Sequence, residues 1–475
     1  MASAGRVILE EGTVRATGHL PIAPTGRYVC PMTEPSGAPR PIDTLLTGAT
    51  VLTIDAEDTV VANAAVAIDG GVIVAVGPTA ALRAAHHPRE TVVADGCFVL
   101  PGLINAHAHL AMTMFRGYAD ELDLQGFLDR MLPVETQILA RDTVTTGVRL
   151  ALAESLLAGI TTTLDMFFHP EAAVAVAADV GFRLHAGPVF VTFPGPDRRE
   201  FAERMTWAAD LLAKGAIGVG GQRWVMPHGT YTLSPDQLRA VGELAQAFHC
   251  RMTIHAAENP AEVDMVVAAT GRRPVELLAD LGLLDERAVL AHGVELTDRE
   301  IALVAATGAT VAHCPLSNLK LASGFCRVPD LIDAGAKVAL GTDGTASSND
   351  LDLWMAMRFA ATIHKARAKD ATVLPAARVL RMATIDGARA LGIADQVGSI
   401  EVGKRADLVI VDGNRAHLVP SYDAASTLVY AAGRGDVRDV FVDGRRVVRN
   451  GECTTIDVTA AVAAMRALGE RIAAL

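Results

Sequence analysis

The stretch Leu100-Pro101-Gly102-Leu103-Ile104-Asn105-Ala106-His107-Ala108-His109 runs from an apolar segment directly into two histidines spaced i, i+2. On an extended strand that spacing sends both imidazoles to one face. Three other places share the texture of an apolar run closed by polar groups. They are His255-Ala256-Ala257-Glu258, His292 after Ala288-Val289-Leu290-Ala291, and Asp343 in Gly341-Thr342-Asp343-Gly344. Each polar group falls where a β-strand should end. Parallel strands closed into a barrel bring all their C-terminal ends to one mouth, and an open doubly wound sheet does not.

Outward from this stretch, strand-like runs recur at Phe98–His107, Ile160–Met166, Phe182–Phe190, Ile217–Val225, Arg251–Ala256, Ala288–His292, Thr310–His313 and Lys337–Thr342. Helix-period stretches such as Asp142–Leu157, Ser234–His249 and Asp298–Ala306 lie between them. Eight strands in strict alternation with helices predict an α/β fold, a TIM-type (β/α)8 barrel. The two ends of the chain read differently. Short β-like runs separated by Asp69-Gly70-Gly71, and later by Asp412-Gly413 and Asp443-Gly444, suggest hairpins. They predict one small composite β-domain built from both termini. The expected organisation is an N-terminal extension with part of that β-domain over 1–97, the barrel over 98–392, and the remaining β-domain with a C-terminal helix over 393–475. Residues 1–41 read as an irregular extension without a functional signal.

Composition narrows the function. The 475 residues are 51% hydrophobic and carry a formal charge of −12, which argues against a nucleic-acid backbone as partner. A nucleobase or nucleoside as small substrate remains compatible. Six cysteines without a CxxC pair read as free thiols in a reducing compartment. With no secretory h-region and no membrane-length apolar run, the expected location is the cytoplasm.

Three imidazoles plus a carboxylate at one barrel mouth suit Zn²⁺ or Fe²⁺. The segments Pro101–His109, His255–Glu258, His292, His313-Cys314-Pro315-Leu316-Ser317-Asn318-Leu319-Lys320 and Gly341–Asp350 resemble the amidohydrolase superfamily. They are most similar to its branch of aromatic-amine deaminases and triazine hydrolases. The resemblance implies His107, His109, His255 and Asp343 as ligands of one divalent metal, zinc first and iron second. It also implies Glu258 as proton shuttle, His292 as the group orienting the attacking oxygen, and Asp343 as an assisting base. No lysine lies between Ile217 and His228, so the carboxylated lysine that bridges two metals in many relatives is missing and a mononuclear site is expected. Glu135 and His228 match positions that contact substrate in nucleoside deaminases, and His313 is a further candidate contact. The arginine that such deaminases carry just after strand three has no counterpart in His185-Ala186-Gly187-Pro188-Val189-Phe190; the nearest are Arg198 and Arg199.

The expected activity is hydrolytic deamination of an amino-substituted nitrogen heteroaromatic, foremost an adenosine-type nucleoside, then a related purine or pterin. An s-triazine hydrolase releasing chloride or alkylamine is the nearest alternative. A non-catalytic barrel used for binding or assembly is the alternative of another class. The superfamily resemblance also suggests a homo-oligomer.

Overall fold

The computed structural model describes residues 38–218 and 221–475. The first 37 residues, with Cys30, lie outside it, as do two residues of the strand expected over 217–225. Eight parallel barrel strands follow one another along the chain. We number them β1 (Leu103–His109), β2 (Ile160–Asp165), β3 (Arg183–Ala186 and Val189–Phe190), β4 (Trp224–Pro227), β5 (Arg251–Ala256), β6 (Ala288–His292), β7 (Thr310–His313) and β8 (Lys337–Leu340 and Asp343–Gly344). Nearly every residue of these strands is buried. Helices cover the outer face and side chains fill the interior, so the strands read as continuous apolar runs rather than alternating ones.

The ring closes through two broken strands. The first half of β3 pairs with β2 and its second half with β4. Likewise Lys337–Leu340 pairs with β7, whereas Asp343–Gly344 pairs with β1. Each break contains a glycine that backbone or side chains crowd. A Cβ on Gly187 would sit 2.4 Å from the Trp224 carbonyl oxygen, and one on Gly341 would meet Cys314 Sγ at 2.9 Å and the His107 oxygen at 3.0 Å. Asn105 staples the second break. Its amide donates to Thr342 Oγ1 at 2.7 Å and its Oδ1 accepts from the Thr342 backbone at 3.1 Å.

A nine-stranded sheet joins both ends of the chain. Its N-terminal part comprises Arg40–Leu52, Val60–Asp69, Val72–Pro78, His86–Val93 and Phe98–Pro101, and its C-terminal part Leu408–Val411, Val437–Val442, Arg445–Arg449 and Glu452–Cys453. The seam is Phe98–Pro101, which pairs parallel to Arg40–Leu52 and antiparallel to Leu408–Val411. The run expected as one strand over Phe98–His107 therefore divides at Gly102, one half serving the sheet and the other the barrel. Arg183 at the start of β3 ties the two together. Although buried, it reaches Asp407 at 3.2 Å and Asp443 at 2.6 Å, so its charge is paired on both sides. The chain ends in the helix Val458–Ala473. Among the described residues no helix is long and apolar enough to cross a membrane.

Candidate active site

The C-terminal ends of β1, β5 and β8 bring His107, His109, His255 and Asp343 together. One ligand atom from each lies within 4.8 Å of all the others, and all four residues are buried. Local hydrogen bonds orient the rings. His109 Nδ1 faces the Met166 carbonyl and His255 Nδ1 faces the His228 carbonyl at 2.6 Å. A carbonyl only accepts, so both Nδ1 atoms carry the proton and both Nε2 atoms present lone pairs to the centre. Those two Nε2 atoms stand 3.2 Å apart, a distance two lone pairs tolerate when a cation lies between them. His107 is fully buried with neither ring nitrogen hydrogen-bonded, an orphan that a metal ligand's role explains. Burial lowers its pKa to about 4 and holds His255 well below the usual histidine value, so both rings are neutral near pH 7, the form that metal binding requires.

Asp343 completes the set. Its Oδ1 lies 3.5 Å from His107 Nε2 and 3.2 Å from His109 Nε2, and its Oδ2 accepts from Ser317 and Ser347, each at 2.6 Å. Its backbone is left-handed, φ 61°, a conformation that costs an L-residue about 1–3 kcal/mol. The break in β8 and its pairing with β1 hold it there. Burial opposes its ionisation, but the contacts with His107 and His109 keep its pKa well below the carboxylate range. The donor set, three imidazole nitrogens and one carboxylate oxygen in a buried cluster, fits a divalent metal. Lys214 ends the helix Phe201–Ala213 and is not part of the cluster.

Glu258 and His292 border this cluster. Both are buried, with Glu258 Oε1 3.9 Å from His292 Nε2. Burial raises the pKa of Glu258. His292 Nδ1 lies 2.8 Å from Asn318 Oδ1 and donates to it. Burial works against protonation of His292, yet the carboxylates of Glu258 and Asp343 raise its pKa.

One residue that the sequence reading passed over holds Glu258 in place. Glu262, in the first turn of the helix Pro260–Thr270, is buried. Its Oε2 accepts the Glu258 backbone N–H at 2.6 Å, and its Oε1 accepts the Ala257 N–H at 3.1 Å and the Thr230 hydroxyl at 3.0 Å. Ala257, immediately before Glu258, is left-handed, φ 53°. The sequence signal was the N-cap Asn259, whose side chain accepts from the Glu262 N–H at 2.8 Å. It marks Glu262 as a first-turn acid but not as a clamp on the preceding loop. Ser317, Ser347, Asn318 and Asp165 were likewise passed over. Asp165 ends β2 and accepts the Leu110 N–H at 2.7 Å, just beyond His109.

A cavity of about 280 Å³ opens from the cluster, lined by His109, His255, His292, Asp343 and Glu258, and further out by Glu135 and His228. Glu135 projects from the helix Leu124–Ile138; its Oε1 is buried without a hydrogen-bond partner, and burial raises its pKa to about 7. His228 packs against His255 with ring centroids 4.7 Å apart, and its Nδ1 lies 3.2 Å from Thr232 Oγ1. His313 is not among the residues that line this cavity; its Nε2 lies 3.3 Å from Nε2 of His364, on the helix Leu353–Ala368.

A profile of the amidohydrolase family matches residues 98–447, covering the barrel and most of the C-terminal strands. The chain belongs to the amidohydrolase family. A bacterial imidazolonepropionase-like composite domain matches residues 64–87, within the terminal sheet. A 5-methylthioadenosine/S-adenosylhomocysteine deaminase of Syntrophobacter fumaroxidans is 41% identical over 431 residues, 90% of this chain and 98% of that protein. The crystal structure of an adenosine deaminase from Xanthomonas campestris with bound zinc matches at TM-score 0.90 and 40% identity, covering 92% of this chain and all of that one. An atrazine chlorohydrolase from Arthrobacter aurescens complexed with zinc matches at TM-score 0.82 and 28% identity, covering 90% of this chain and 100% of that one.

Proposed function

We propose that this amidohydrolase is a mononuclear zinc-dependent deaminase of adenosine-type nucleosides. The observation that carries the reading is a buried His107–His109–His255–Asp343 cluster sharing one cavity with Glu258 and with the unpartnered carboxyl of Glu135. A divalent ion held by these four residues supplies a Lewis acid that brings the pKa of water toward neutrality. Glu258 takes the proton from the attacking water and passes it to the ring nitrogen beside the amino-bearing carbon. With its pKa raised by burial, it binds that proton more firmly than an exposed carboxylate does. The water oxygen bonds to the ring carbon, its second proton passes by way of Asp343 to the amino nitrogen, and the C–N bond breaks to release ammonia. His292, held through Nδ1–H by Asn318 and in the imidazolium form that the neighbouring carboxylates favour, donates from Nε2 toward the developing charge, and Asp343 assists as a base. Glu135 accepts the sugar hydroxyls and His228 walls the base.

Similarity to nucleoside deaminases at 40–41% identity, against 28% for the chlorohydrolase, supports ammonia over chloride as the leaving group. The zinc in both solved relatives supports zinc over iron. The test is ammonia release by metal-loaded protein against adenosine-type nucleosides, aminopurines, pterins and aminotriazines. Release from nucleosides is expected. Silence on nucleosides with chloride or alkylamine release from triazines would overturn the reading.

A further inference from the structure

We propose that Lys320 is a positioning residue that acts through the helix Leu124–Ile138 on the placement of Glu135, a role that rests on the deaminase reading just argued. The helix lies along one side of the cavity, to which it presents Phe127, Met131 and Glu135. Its own side-chain hydrogen bonds stay within the helix. Gln125 donates to Asp129, Thr136 to the Leu132 carbonyl and Gln137 to the Pro133 carbonyl. Among the described residues, none of its side chains makes a hydrogen bond or ion pair to another barrel segment, and Glu135 Oε1 is buried without a partner. Apolar contact therefore holds the helix against the cavity, and such contact is non-directional. Where the helix stands along the cavity wall must be set at its two ends.

The C-terminal end is tied to the next helix, Arg141–Leu157, where Thr143 donates to the Ile138 carbonyl at 2.9 Å. The N-terminal end is tied by Lys320 through Asp120, in the turn just before the N-cap Asp123. A lysine ammonium has three donors and no acceptor, and three oxygens surround this one. They are Asp120 Oδ1 at 2.6 Å, Asn349 Oδ1 at 2.6 Å and the Ala346 carbonyl at 3.1 Å. Asn349 closes the ring, donating from Nδ2 to Asp120 Oδ2 at 3.0 Å. Asn349 and Glu121, the neighbour of Asp120, are left-handed, φ 66° and 60°, so both turns keep shapes that their surroundings must fix. The other side of the clasp is anchored at the cluster. Lys320 ends the short helix Pro315–Lys320, whose Ser317 donates to Asp343, and Ala346 precedes Ser347, which does the same. One frame thus sets the place of Asp343 and the place of the helix that carries Glu135. A partly exposed ion pair contributes little by itself; a closed network joining the loops after β1, β7 and β8 restricts where all three stand.

The experiment uses the full chain loaded with zinc, with Lys320→Met and, as the change that keeps side-chain shape, Asp120→Asn. Two readouts are taken: amide hydrogen exchange over residues 118–138, and kcat and KM for adenosine by ammonia release. Loss of the clasp should speed exchange over 118–138 by at least about 10-fold and leave β5 and β6 unchanged. A helix that then holds its binding position about a tenth of the time raises KM about 10-fold, with kcat within about threefold and metal content unchanged. The double variant should be no worse than the poorer single one, because both changes remove the same tie. Either readout at its wild-type value in both variants overturns the inference. Faster exchange throughout the barrel overturns it too, since that marks general destabilisation, and so do KM effects that add in full in the double variant. A wild-type protein that releases no ammonia from nucleosides overturns the deaminase reading instead, and exchange over 118–138 then decides the clasp alone.

Discussion

Glu262→Gln changes one carboxylate oxygen to an amide nitrogen and preserves the shape of the side chain. In the wild type the two oxygens accept three donors: the N–H of Glu258, the N–H of Ala257 and the Thr230 hydroxyl. The amide has a single acceptor atom. Thr230 can rotate its hydroxyl to accept from the new NH2, but a backbone N–H cannot reverse. Either Ala257 or Glu258 is therefore left with a buried, unpartnered N–H, and the remaining bond loses its ionic character. Together these cost about 2–4 kcal/mol. The strained backbone of Ala257, φ 53°, is the part poised to relax, and its relaxation turns the Glu258 carboxylate away from the substrate. A misplacement of about 1 Å in such a group is worth roughly 10²-fold in rate. The expected outcome is a roughly 10²-fold lower kcat, a KM near that of the wild type, and full metal content, because Glu262 bonds to none of the four cluster residues. Steady-state ammonia release with metal analysis of the same sample decides it. A fully metallated variant with kcat within twofold of wild type would refute the positioning role. A lower unfolding midpoint with unchanged kcat would make Glu262 a purely structural residue.

The other predictions address the chemistry directly. Glu258→Gln should retain metal and lose about 10²–10⁴-fold in kcat; near-normal turnover would remove it from proton transfer. Asp343→Ala should lose both metal and activity on dialysis, and a stoichiometrically metallated protein would strike Asp343 from the ligands. Burial raises Glu135 to about 7, so its carboxylate form, the better acceptor for sugar hydroxyls, fills in as pH rises through that value. Accordingly kcat/KM for adenosine should fall as pH drops through about 7. Glu135→Gln should raise KM about 10- to 100-fold and abolish that limb; a limb that persists in the variant belongs to another group.

Much of the site was legible because its signals are local. The i, i+2 spacing of His107 and His109, and the placement of His255 and Asp343 at the ends of apolar runs, follow from strand geometry, and a barrel makes strand ends converge. His313 shows where that logic stops. It closes β7 as His255 closes β5, yet its ring turns to His364, 51 residues away in sequence. Which face a strand's last residue presents depends on the tilt of that strand against its neighbours, and no window of sequence contains that information. The same holds for the single run 98–107, which two different sheets share by dividing it at Gly102.

By itself the sequence determined the number and order of the barrel strands, the β-rich character of both ends and which four side chains meet at the barrel mouth. Periodicity and residue type act over a few positions, and these features need nothing longer. Only the tertiary structure decided how the site is held. The breaks in β3 and β8, the left-handed turns at Ala257 and Asp343, and the clamps by Glu262, Ser317 and Ser347 each join segments that meet only after the ring has closed. Ring closure sets which backbone N–H groups lack partners and which carboxylates become buried. Those conditions turn ordinary cap and loop residues into supports for the site.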